Sequence, residues 1–147
     1  MIKLTILGTP QPKQSARFRA VKSRDKVFVR SYQKKEVVEN EKKIAFTAKT
    51  QLPKGFKPFS EALKVRVLFV FPPLKSFSKA KMNALATGVV MYKTTKPDLT
   101  DNLMKSTMDA LNGIVFTDDA IISEVESKKI FGLIPRIELE FEALNKK

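Results

Sequence analysis

The sequence contains no cysteine and no histidine. Those absences exclude disulfides, zinc fingers, cysteine nucleophiles, histidine metal ligands and every Ser-His or Cys-His catalytic arrangement. Long apolar runs are missing as well. The longest candidate, Val67 to Leu74, is broken by Pro72 and Pro73, far short of the roughly 20 residues that a membrane span needs. The opening MIKLTILGTP holds too short an apolar run for a secretion signal. A cytoplasmic chain with no membrane partner is therefore expected. The chemistry left to it rests on carboxylates, lysines, arginines, two tyrosines and hydroxyls.

What is present in excess is positive charge. The net charge is +13, from 28 Lys+Arg against 15 Asp+Glu, and a balance this lopsided points to an anionic partner. Its distribution is uneven. Residues 1–97 carry 22 basic and 5 acidic side chains, whereas residues 98–147 carry 6 and 10. A basic region that grips phosphates beside an acidic region that holds a cation would segregate in this way. At 147 residues the chain is expected to form a single domain, 1–147, large enough to fold around its own core.

Hydropathy periodicity places the elements. Ile2, Leu4 and Ile6 alternate with Lys3, Thr5 and Leu7 and predict a strand with one face in the core. Gly8 to Pro12 ends it, and Val27 to Val29 suits a hairpin. Ser31 to Gln51 reads as a helix capped by Ser31, with Val37, Val38, Ile44, Ala45 and Ala48 on its buried stripe. Leu63 to Phe71 alternates and turns apolar on both faces toward its end, as a central strand does. Ser78 to Ala86 predicts a short basic helix ended by Gly88, and Thr100 to Asn112 a longer one ended by Gly113. In that longer helix Leu103, Met104, Thr107, Met108 and Leu111 form the buried stripe, opposite Asp101, Lys105, Asp109 and Asn112. Two strands, Ile121 to Phe131 and Leu133 to Glu142, hinge at Gly132. Strands and helices mix without a regular βαβ beat, so the expected class is α+β, a mixed β-sheet with helices packed on it.

The acidic candidates are Asp98, Asp101, Asp118 and Asp119. Asp98 and Asp101 lie at a helix start, where three-residue spacing puts both carboxylates on one side. If the strand after Asp118-Asp119 packs beside that helix start, three or four carboxylates converge, and oxygen-only ligands suit Mg²⁺ or Mn²⁺. Taken one at a time, these aspartates also read as helix caps and turn residues, and Lys105 as half of a surface ion pair with Asp101. On the basic side Lys13, Arg17, Arg19, Lys22 and Arg24, with Phe18 among them, have the interleaving of a DNA-binding arm. A solvated charged face is the plainer reading. Tyr32 and Tyr92 are the available phenolic nucleophiles, but no histidine accompanies them.

The run Lys96-Pro97-Asp98-Leu99-Thr100-Asp101-Asn102-Leu103-Met104-Lys105, followed by Asp109-Ala110-Leu111-Asn112-Gly113 and Asp118-Asp119-Ala120-Ile121-Ile122, resembles the RusA family of Holliday-junction resolvases. The amino-terminal Gly8-Thr9-Pro10-Gln11-Pro12-Lys13-Gln14-Ser15-Ala16-Arg17-Phe18 is similar to that family's opening segment. One departure stands out. The family's first two aspartates are two residues apart; here Asp98 and Asp101 are three apart, so an extra residue lies before Asp101. In an extended segment that insertion turns Asp98 away, and in a helical turn it brings the carboxylate back. The resemblance implies a homodimeric, Mg²⁺-dependent endonuclease acting on branched DNA and four-way junctions, with Mn²⁺ as a substitute. It implies Asp98, Asp101 and Asp119 as catalytic metal ligands, Lys105 as the active-site lysine and Asp118 in support. The rival expectations are a non-catalytic nucleic-acid-binding module and a related metal nuclease that cuts flaps or forks.

Overall fold

The computed structural model describes residues 1–12, 17–23, 26–32 and 35–145, with backbone pairing alone for 17–23 and 26–32. The architecture is the α+β arrangement expected. Four strands form a mixed sheet in the order β1-β6-β4-β5: β1 (Ile2–Leu7), β4 (Leu63–Phe71), β5 (Ile122–Phe131) and β6 (Arg136–Ala143). β4 is interior, as its apolar far end predicted. It runs parallel to β5 and antiparallel to β6, and β6 runs antiparallel to β1. A separate two-stranded ladder joins β2 (Arg17–Ser23) to β3 (Lys26–Tyr32), longer than the Val27–Val29 hairpin arm expected.

Strand alternation decides which face is dry. Leu4 and Ile6, Val65, Val67, Phe69 and Phe71, and Ile137, Leu139 and Phe141 are all buried on one side. Helices α1 (Lys35–Gln51) and α3 (Lys105–Leu111) cover that side through Ile44, Ala48, Met108 and Leu111. The other face carries cross-strand ion pairs: Lys64 to Glu124 at 3.3 Å, Arg66 to Glu126 at 2.9 Å and Lys3 to Glu140 at 3.7 Å. Exposed pairs of this kind contribute about 0–1 kcal/mol each; they serve to keep this face polar. A depression of about 300 Å³ lies here, lined by Arg66, Leu68, Glu126, Lys128, Glu138 and Glu140. Arg66 already engages two of its carboxylates, Glu126 and Glu140, so it offers no open acid set.

Several boundaries shift from their sequence positions. The first helix begins at Lys35, not Ser31, because Ser31 and Tyr32 are paired with Phe18 and Arg17 in the hairpin ladder. Its buried stripe is Val37, Ile44 and Ala48, while Val38 is 39% exposed and Ala45 only half-buried. β5 starts at Ile122 because Asp119–Ile121 form a 3₁₀ turn, and β6 starts at Arg136. The short basic helix α2 (Lys79–Ala86) forms as expected. The Ser78 hydroxyl accepts from the Lys81 amide at 3.2 Å, and Gly88 has a φ of 93° after its end.

The free edge of β1 is closed by side chains of α1. The Gln51 amide donates to the Thr5 carbonyl at 2.7 Å and accepts from the Thr5 N–H at 2.9 Å, doing for that residue what a neighbouring strand would do. Lys43 Nζ donates to the Leu7 carbonyl at 2.7 Å.

Candidate active site

The predicted helix over Thr100 to Asn112 is built in two parts. Leu99–Met104 forms a π-helical turn, and α3 continues from Lys105. The Leu103 N–H donates to the Asp98 carbonyl at 3.0 Å, five residues back. A π-helical turn is the usual way for a helix to hold one residue too many. The three-residue interval from Asp98 to Asp101 therefore runs through a helical turn. Asp98 itself is extended, at φ −68° and ψ 137°, at the mouth of the turn.

The core holds this element by residues at four-residue steps. Leu103, Thr107 and Leu111 are buried, and Leu99 packs against the same cluster. Ser106 and Ala110 are buried beyond the expected stripe, because α1 lies against that flank. The Asn40 amide donates to Ser106 Oγ at 3.3 Å, and the buried Thr107 hydroxyl donates to the Leu103 carbonyl at 3.0 Å. On the opposite face Asp101, Lys105 and Asn112 are exposed as predicted, whereas Asp109 is half-buried. Among the described residues no ion pair joins Asp101 to Lys105.

The second acidic stretch is set by its own anchor. Gly113 takes φ 82° to end α3, a conformation only glycine adopts freely. Val115 and Phe116 then plunge into the core, fully buried. The Phe59 main chain grips this return on both sides, donating to the Val115 carbonyl and accepting from the Thr117 N–H, each at 2.9 Å. Asp118 emerges extended and Asp119 opens the 3₁₀ turn that leads into β5, both exposed.

The two acid-bearing turns abut one strand. The Asp119 turn runs directly into β5, and the π-helical turn packs against β5. Here the inner face of β5 is partly open: Val125 stays 49% exposed although its register partner Val65 is fully buried. Among the described residues the carboxylates of Asp98, Asp101, Asp118 and Asp119 have no hydrogen bond or ion pair. Nor do any three His, Cys, Asp or Glu side chains among the described residues stand close enough to hold a metal ion. The donor chemistry suits a hard divalent cation, all oxygen and all accessible. Exposed carboxylates repel one another and gather only around a counter-charge.

The segment before Asp98 runs along the outer edge of β5. Lys93 N–H donates to the Lys129 carbonyl and Phe131 N–H to the Met91 carbonyl, both at 2.9 Å. Lys129 Nζ donates to the carbonyls of Thr95 at 2.7 Å and Pro97 at 2.8 Å. Lys93 Nζ donates to Thr95 Oγ1 at 2.9 Å and lies 5.2 Å from the ring centres of both Phe71 and Phe131. Burial, and then the neighbouring Lys129 charge, hold the Lys93 ammonium below the ordinary lysine pKa. Neither lysine stood out in the sequence. The side of β5 that carries Lys129 also carries Ser123 and Ser127, so alternation offers no signal for it.

Of the basic arm, Arg17, Arg19 and Lys22 fall in β2, where Arg17 pairs with Tyr32, Arg19 with Arg30 and Lys22 with Val27. Lys13 and Arg24 lie outside the described residues.

Comparison with known proteins places the whole chain rather than its site. A protein of Bacillus subtilis (strain 168), called "Uncharacterized protein YqaN", is 29% identical over 142 residues, which span 94% of this chain and 93% of that one. The family model described as "Endodeoxyribonuclease RusA" matches residues 8–142. That match takes in the hairpin, both acid-bearing turns, β4, β5 and most of β6, and by it the chain belongs to the RusA endodeoxyribonuclease family.

Proposed function

We propose that the chain works as one endonuclease domain, paired as a homodimer, that resolves four-way DNA junctions by divalent-metal-dependent phosphodiester hydrolysis. The observation that supports this best is the position of the family's aspartates. They lie on two exposed turns abutting β5, with no described protein partner, beside a strand face left partly open. Asp98, Asp101 and Asp119 would hold Mg²⁺, or Mn²⁺ in its place, with Asp118 in support. When bound, such an ion supplies Lewis-acid stabilisation of phosphate charge and lowers the pKa of water.

The remaining roles belong to the chain's own groups. With no histidine, a carboxylate is the side chain suited to take a proton from the attacking water. Lys105, exposed one turn beyond Asp101, is suited to stabilise negative charge on the leaving oxygen. Lys13, Arg17, Arg19, Lys22 and Arg24 are suited to phosphate contacts, which supply affinity and orientation without reading sequence. Two copies related by a two-fold axis would present two such centres to the two symmetric strands of a junction.

The test is a labelled four-way junction incubated with the protein in Mg²⁺ or EDTA. Paired symmetric nicks that need Mg²⁺ are expected. Asp101→Asn and Asp119→Asn should bind the junction normally and lose at least about 100-fold in cleavage. Cutting at the wild-type rate by either variant would remove it from the metal centre. Flap and fork substrates run alongside, and preferential cutting of those would replace the junction as substrate. Each of Arg17→Ala and Arg19→Ala should reduce the salt slope of binding by about 1, and an unchanged slope would exclude the arm from the interface.

A further inference from the structure

Lys129 stands where the sheet register calls for an apolar residue. It is in register with Phe69, whose ring is fully buried, so it belongs to the inner face of β5 along with Val125, Ser127 and Phe131. Lys128, in register with Leu68, belongs to the outer face. An ammonium group turned toward a core is costly unless its donors are satisfied. Here the half-buried Lys129 spends two of its three donors on main-chain oxygens, those of Thr95 and Pro97. Both carbonyls belong to the last few residues before Asp98. The same lysine's own carbonyl holds the Lys93 N–H, and the Lys93 ammonium holds the Thr95 hydroxyl. The strap from Lys93 to Pro97 is thus tied at its near end by main chain and at its far end by a charge-assisted bond pair, one residue before the mouth of the π-helical turn.

We propose that Lys129 is a positioning residue for the acidic centre: by bonding the Thr95 and Pro97 carbonyls it fixes where Asp98 stands relative to Asp101 and the Asp119 turn, and so sets how tightly the centre takes a divalent cation. This rests on the assignment of Asp98 as a ligand under the proposed function. Nothing else described ties the Thr95–Pro97 main chain to the sheet, and misplacement of a reactive group by about 1 Å is enough to cost about 100-fold in rate. Groups that orient metal ligands typically change metal affinity about 10–100-fold when removed.

The experiment measures Mn²⁺ binding by the full chain without DNA, from water-proton relaxation. Lys129→Met should weaken Mn²⁺ about tenfold, with Lys129→Arg in between. Lys128→Met removes the same charge from the adjacent residue and should leave Mn²⁺ affinity unchanged. In an Asp98→Asn background Lys129→Met should have no further effect, because residues acting through one another are not additive. Junction cleavage by Lys129→Met should recover as Mn²⁺ is raised, while its metal-free junction affinity matches that of Lys128→Met. Wild-type Mn²⁺ affinity in Lys129→Met, or an equal loss with and without Asp98, overturns the proposal. If Lys129→Met does not fold, equal Mn²⁺ affinities for Lys129→Arg and Lys128→Met overturn it. Wild-type protein that binds no Mn²⁺ and cuts nothing overturns the proposed function along with it. Wild-type protein that binds and cuts, beside an indifferent Lys129→Met, overturns the role of Lys129 alone.

Discussion

The two edges of the four-stranded sheet meet the same problem in different ways. Every edge strand leaves main-chain donors and acceptors unpaired and open to other chains. At the β1 edge, helix side chains do the work: the Gln51 amide pairs with both main-chain groups of Thr5, and Lys43 takes the Leu7 carbonyl. At the β5 edge, main chain does it, through the Met91–Lys93 stretch, and a lysine again donates to carbonyls, this time those of Thr95 and Pro97. The first seal is local and ends where it begins. The second continues straight into Asp98 and the π-helical turn. One edge is closed for the sake of the sheet; under the proposed function the other also aims the acidic motif, so disturbance of the first should cost stability alone and disturbance of the second should cost chemistry as well.

The sharpest way to break that contrast is at Gly132, where β5 ends against β4. A Cβ there would lie 2.6 Å from Val70 Cγ1, and Val70 is buried at 1% exposure with little room to yield. Gly132→Ala should destabilise by about 1–3 kcal/mol, as overpacking does, and should reduce junction cleavage beyond what the lost folded fraction explains. A thermal melt run beside a cleavage assay separates the two. Next in size is Gln51→Leu. Its hydrogen bonds are exposed, so water replaces much of what is lost, and a cost of about 1 kcal/mol is expected, with cleavage per folded molecule unchanged. Altered cleavage there would mean that the β1 edge also communicates with the acidic turns. Lys43→Met should cost about 0.5–1 kcal/mol and read as Gln51→Leu does.

The smallest effect concerns protonation. Burial and Lys129 disfavour the charged form of Lys93 in the folded protein. Its folded pKa is therefore below its unfolded one. The group opposes folding at pH values below the folded pKa, and that opposition is relieved as pH rises through the folded toward the unfolded value. In a ¹³C titration of the lysine side chains Lys93 should turn over below the ordinary lysine range. Lys129→Met should move it part of the way back, since burial, the larger cause, remains. A Lys93 midpoint at the ordinary lysine value would mean that the strap does not enclose it.

Sequence periodicity resolved what depends on one element at a time. β1 and β4 were legible from alternation, Pro72-Pro73 marked where β4 stops, and Ser78 marked where α2 starts, because a cap and its amide are three residues apart. It misplaced what depends on a second element. Ser31 is a good cap in isolation, but Phe18 across the ladder draws it into β3. Ser106 looks like a surface residue until Asn40 of α1 arrives beside it. The acidic motif was visible as residues, and the extra residue before Asp101 was visible as a spacing. How the chain absorbs it was not, because a widened turn changes hydrogen-bond partners without changing composition. Lys129 was invisible for the same reason: only the register with Phe69 and the strap passing alongside make a lysine at that position intelligible.

The widened turn from Leu99 to Met104 also gives this chain a place to absorb a change of length. From Leu103, near the end of that turn, through Thr107 to Leu111 the chain keeps a four-residue stride on the core, so one residue more or fewer before Leu103 needs no compensating edit in the sheet or in α3.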